Sequence, residues 1–97
     1  MKMAQLLYFK TVAEAGKISI AARKLYVTAP AVSIAIGNLE KELGVQLFER
    51  TNNRIVLNEY GKAYLKYVNQ VFDELTEAKQ TVMDMRQGSA DIGQDLR

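Results

Sequence analysis

The chain contains neither cysteine nor histidine. That double absence excludes disulfides, Cys/His zinc sites and histidine-activated nucleophiles. Freedom from cysteine is compatible with a reducing compartment, and a cytoplasmic setting is expected. No apolar run approaches the length of a membrane span, so no membrane role is expected. The opening MKMAQLLYFKTVAEAG has the lysine, apolar patch and small-residue AEA of a signal peptide. Lys10 and Glu14 interrupt its apolar stretch, however, and an amphipathic first helix is the better reading. There is also no P-loop and no dinucleotide fingerprint. Ser33 and Thr28 lack a histidine partner, and Lys41 stands between Glu40 and Glu42 in the manner of a solvated helix face. Neither an enzyme nor a bound metal or cofactor is expected.

What is present suits a small globular protein. Of 97 residues, 48% are hydrophobic and 25% charged, which excludes a disordered chain. One domain with an extension fits this length, and a core so small favours a partner chain. The net charge of +2 hides an asymmetry. Residues 1–72 hold ten lysines and arginines against five glutamates, a balance of +5. Residues 73–97 hold three against six acidic residues, a balance of −3. A basic front and an acidic tail suit a nucleic-acid-binding head on a separate stalk.

The apolar spacing predicts a mainly α protein. A first helix over 2–15 would turn Met3, Leu6, Leu7, Val12 and Ala13 inward, flanked by Tyr8 and Phe9, and stop at Gly16. Ser19 is placed to cap a second helix ending near Leu25, with Ala22 and Leu25 inward. Thr28 is placed to cap a third, with Pro30 in the first turn, where its missing N–H does no harm. Val32, Ile36, Leu39 and Leu43 form that helix's buried stripe, and Gly44 ends it. VQLFER and RIVL around TNN read as a β-hairpin, in the position of a wing. From Asn58 a helix of about 28 residues, roughly 42 Å, is predicted, which is too long for this head to cover. Tyr60, Tyr64, Tyr67, Val68, Val71, Leu75, Ala78, Val82 and Met85 share one face, widened by Leu65, Phe72 and Met83. An arc this wide serves both the chain's own head and a second chain, so homodimerisation through Tyr64, Tyr67, Val68, Val71, Phe72, Leu75, Ala78 and Val82 is expected. Residues 88–97 look loop-like, with two glycines.

These elements, in this order, resemble the start of a LysR-type transcriptional regulator. QLLYFKTVAEAGKIS is similar to the family's first helix. AARKLYVTAPAVSIAIGNLEKELGVQLFER is similar to its helix-turn-helix and first wing strand, and LNEYGKAYL to the start of its linker helix. The resemblance covers about residues 5–65. It implies a winged helix-turn-helix over residues 1–57, a linker and dimerisation helix over 58–87, and a hinge over 88–97 towards an absent effector-binding domain. It further implies double-stranded DNA with dyad symmetry as the partner, a homodimer that forms a higher oligomer in a full-length chain, and a small-molecule effector sensed only by the absent domain. On this resemblance the chain is expected to be an isolated head, either excised from a longer protein or a naturally short one.

The third helix departs from the family pattern. Its outward positions are expected to be Ala29, Pro30, Ser33, Ile34 and Gly37, with Asn38 nearby. Family members usually carry glutamine where this chain has Ala29. They often carry basic or amide residues near Ile34, Ala35, Gly37 and Asn38. Three alternatives follow. Ala29 and Ile34 touch thymine methyls, with Ser33 and Asn38 supplying polar contacts and Gly37 admitting the backbone close to the duplex. Or DNA shape and bending carry specificity, with phosphate contacts setting register. Or the helix has lost direct readout and serves a winged-helix protein-interaction module. Phosphate anchoring is assigned to the helix N-termini near Ser19 and Thr28, to Lys17, and to Arg50 and Arg54 beside the hairpin turn. Lys24 fits either surface or contact.

Overall fold

A computed structural model describes residues 1–91. Its elements are α1 (Met3–Ala15), α2 (Ile18–Leu25), α3 (Ala29–Leu43), β1 (Phe48–Thr51), β2 (Arg54–Leu57) and α4 (Glu59–Asp91). The two strands pair antiparallel, with Phe48 opposite Leu57 and Thr51 opposite Arg54, so only Asn52 and Asn53 make the turn. Asn52 takes φ 53, a left-handed conformation that asparagine tolerates. This is the winged helix-turn-helix expected from the sequence, with a long helix following it.

The caps explain where α1 and α3 begin and end. The Lys2 backbone N–H donates to Gln5 Oε1 at 2.8 Å, and Gly16 closes α1 at φ 73. Thr28 Oγ1 accepts from the Ala31 N–H at 3.2 Å, and Gly44 closes α3 at φ 75. The second helix corrects the expectation for Ser19. Its cap is Lys17, which makes no side-chain bond, and Ser19 lies inside the first turn.

Phe9, Val12, Val32, Leu39 and Leu47 are the largest fully buried side chains. The ring of Phe9 packs at 5.4 Å from those of both Phe48 and Tyr64, joining α1 to the wing and to α4. The core thus turns on Phe9, while Leu7 and Met3 are exposed, against the inward placement expected for them. The apolar run LLYF offers two adjacent faces, and the rings on β1 and α4 select the Phe9 face. The stripe of α3 is as expected: Val32, Ile36 and Leu39 are buried, and Leu43 packs at the edge.

Strand β1 starts only at Phe48. Before it, the Leu47 N–H donates to Glu40 Oε2 at 2.6 Å, and the Leu47 carbonyl accepts from the Asn58 N–H at 3.0 Å. Asn58 then caps α4, its Oδ1 accepting from the Gly61 N–H at 2.9 Å. Lys10 Nζ donates to Asn69 Oδ1 at 3.0 Å and so ties α1 to the third turn of α4. Helix α4 does not stop at Gly88, as the loop-like composition suggested, but runs to Asp91. A single glycine costs about 1 kcal/mol in a helix, which is too little by itself to end one. The rest of the expected hinge, residues 92–97, lies outside the described residues.

Candidate nucleic-acid interface

Helix α3 shows one buried and one bare face. Opposite the Val32, Ile36, Leu39 stripe, Ile34 is 64% exposed. Pro30 and Asn38 are exposed and Ser33 and Gly37 half-buried around it. A Cβ built at Gly37 meets no heavy atom within 4 Å, so nothing in the chain itself requires glycine there. Thr28, exposed, marks the positive end of the helix dipole. Ala29, in the first turn, is half-buried like Ser33 and Gly37. It lies three residues before Val32 and seven before Ile36, at the edge of the buried stripe, and it packs half-buried against the core.

A second cluster forms where the wing meets α2. Lys17, Ser19, Arg50, Asn52, Asn53 and Arg54 line an open cleft of about 300 Å³, with Ile18 and Ile55 behind them. The wing is held there by the Ile55 N–H, which donates to the Gly16 carbonyl at 3.0 Å. The Arg54 guanidinium lies across Gly16: a Cβ at Gly16 would stand 2.8 Å from its terminal nitrogen. Gly16 is required by its positive φ, while the Arg54 side-chain end beside it can swing aside for a Cβ. The structure brings Lys17, Ser19, Arg50 and Arg54 together, although the sequence separates them by more than 30 residues. None of the outward α3 residues lines this cleft, so α3 and the wing present two patches.

Charge unites them. Residues 15–39, from the end of α1 to the last turns of α3, contain no aspartate or glutamate but carry Lys17, Arg23 and Lys24. The nearest carboxylates on α3 have structural work. Glu40 holds the Leu47 N–H, and Glu42 pairs with the Met1 amine at 2.7 Å. Tyr26, in the turn between α2 and α3, is 95% exposed and was not singled out from the sequence. Only its place between inward-facing Leu25 and Val27 hinted at it.

The apolar arc of α4 divides in two. Val68 is buried, and Tyr64, Leu65 and Phe72 pack against the chain's own head. Val68 is thereby already covered by the head, whereas Tyr64 and Phe72 are only half-buried and keep part of their surface free. Tyr67, Val71, Leu75, Val82 and Met85 remain exposed along the other side, as does Ala78, and Met83 is exposed further down the Phe72 side.

A family model for the bacterial regulatory helix-turn-helix proteins of the lysR family matches residues 3–62. The chain belongs to the LysR family. It is 40% identical over 96 residues to the uncharacterised HTH-type transcriptional regulator YybE of Bacillus subtilis, covering 96% of this chain and 33% of that protein. Among LysR structures, it is similar to the DNA-binding domain of CbnR in complex with DNA, with a TM-score of 0.80 and 32% identity over 89% of this chain and 99% of that one. The BenM DNA-binding domain on its benA site 1 DNA gives a TM-score of 0.82 and 29% identity, over 88% of this chain and 99% of that one. The chain spans about a third of the length of the curated LysR relative. Within the described residues no helix is long and apolar enough to cross a membrane.

Proposed function

We propose that this chain is the DNA-binding head of a LysR-type transcriptional regulator, which engages a dyad-symmetric promoter site as a dimer. The observation that carries this reading is the bare outward face of α3, centred on Ile34, in a segment of 25 residues without a carboxylate. Helix α3 enters the major groove. Lys17, Arg50 and Arg54 anchor phosphates beside it, and the wing reaches the backbone or minor groove. Ile34 offers no donor or acceptor. It reads thymine methyls by apolar contact, while DNA shape and bending supply the remaining specificity.

Two heads are joined through the free side of α4, with Tyr67, Val71, Leu75, Ala78 and Val82 at the seam. In a longer chain, higher oligomers form and a small-molecule effector acts through a C-terminal domain. The setting is the cytoplasm. The test is Ile34→Glu, which places a carboxylate on the groove face at a mostly exposed residue. Duplex binding should be lost while the circular dichroism spectrum and thermal midpoint hold. Full duplex binding by a folded Ile34→Glu chain would show that α3 does not enter the groove.

A further inference from the structure

Tyr26 combines full exposure with a costly backbone. Its side chain is 95% exposed, and its φ of 58 and ψ of 41 lie in the left-handed region. A non-glycine residue pays a steric penalty there that glycine avoids. The conformation itself has a purpose. Tyr26 closes α2, its N–H reaching the Ala22 and Arg23 carbonyls. The following Val27 N–H donates to the Ala22 carbonyl at 3.0 Å, which steers the chain into the Thr28 cap of α3. Glycine would make this turn with less strain. Tyrosine adds a large ring, and that ring packs on nothing in the chain. Its two neighbours turn towards the core, which keeps the ring outward.

The surroundings name the partner. The ring stands two residues before the cap of α3, next to exposed Arg23 and Lys24, within the acid-free segment 15–39. A polyanion fits such a surface. We propose that Tyr26 is a DNA-backbone contact at the edge of the groove that α3 enters. Its phenol O–H donates to a phosphate oxygen, and its ring lies against the adjoining deoxyribose. This inference rests on the DNA-binding reading of α3. A tyrosine held in a glycine conformation is then a trade of fold stability for affinity.

Two variants of the 97-residue chain test it, each titrated with a mixed-sequence duplex at several salt concentrations. Tyr26→Gly removes ring and strain together. Its thermal midpoint should rise by about 4 °C. Its affinity should fall about tenfold, the loss typical of one hydrogen bond to a charged group. The salt slope should not change, because the phenol is neutral and displaces no counterion. Tyr26→Phe keeps the ring and the strain, so it should lose affinity without gaining stability. Undiminished binding by either variant overturns the proposal while leaving the DNA-binding reading intact. If the unaltered chain binds no duplex at low salt, that reading fails first and the proposal falls with it.

Discussion

Gly61, in the first turn of α4, lies directly against the backbone carbonyl of Leu47. A Cβ at Gly61 would overlap that carbonyl oxygen and come within 2.7 Å of Leu57 Cδ2. The long helix is therefore seated on the chain just before the wing with no room between them. Gly61→Ala should destabilise the head by about 2–3 kcal/mol, as overpacking of a closed contact does. Thermal unfolding checks it, and an unchanged midpoint would show that the seat is loose.

Gly37 is the control in the same chain, because open space surrounds it. Gly37→Ala should stabilise α3 by up to about 1 kcal/mol through helix propensity alone. If α3 brings its backbone close to the duplex at this point, the same variant should lose DNA affinity. A variant that gains stability and keeps full affinity would remove Gly37 from the interface.

The alkaline limit of stability should depend on Tyr64. Partial burial, and then the nearby Glu42 carboxylate, raise its phenol above the ordinary value of 10.0. The folded state therefore holds this proton more tightly than the unfolded state. Its contribution is fully present below pH 10.0 and is lost as the pH rises through the folded value. Tyr64→Phe should flatten the fall in stability above pH 10, as measured by denaturant unfolding at successive pH values. An identical fall in both chains would place the alkaline sensitivity elsewhere.

Much of this fold was legible in the sequence because its signals are local. Thr28, Gly16 and Gly44 mark helix ends by their own chemistry, and the spacing of Val32, Ile36 and Leu39 places the inner face of α3. The LysR relationship was legible for the same reason, in a contiguous run of residues. What was missed depends on tertiary partners. Phe9 became the centre of the core because Phe48 and Tyr64 meet it, and nothing within α1 favours it over Leu7. Val68 and Phe72 share a face with Val71 and Leu75 by periodicity, yet the head buries Val68, half-covers Phe72 and leaves the other two exposed. The cleft that gathers Lys17 and Ser19 with Arg50 and Arg54 exists only once the hairpin folds back onto the α1–α2 turn.

The dimer should form through the uncovered side of α4. Val71 and Leu75 are 41% and 51% exposed there, one turn apart. Changing both to glutamate should yield folded monomers in analytical ultracentrifugation. A folded, undiminished dimer would assign the interface to another surface.

Arg54 should act on phosphate rather than sequence. Arg54→Ala is expected to weaken binding about equally for all duplexes and to lower the salt slope by about one unit per bound head. Loss confined to one sequence would mean that Arg54 reads a base or a local groove shape.

Ile34 should carry what direct readout there is. Replacing a contacted thymine by uracil removes one methyl, at a loss of about 0.8 kcal/mol by analogy with one buried carbon group. Competition titrations with uracil at each operator position would locate the contact. Equal binding at every position would leave shape and bending as the sole source of specificity.

The central claim, that α3 and the wing cleft grip duplex DNA through its phosphates, is tested most directly by one salt titration of the folded dimer on duplex DNA. Lys17, Arg50 and Arg54 in each of two heads should displace condensed counterions, so log affinity should fall steeply and linearly with log salt. A folded dimer that binds neither operator-like nor random duplex at low salt would contradict the account and leave α3 as a surface for protein.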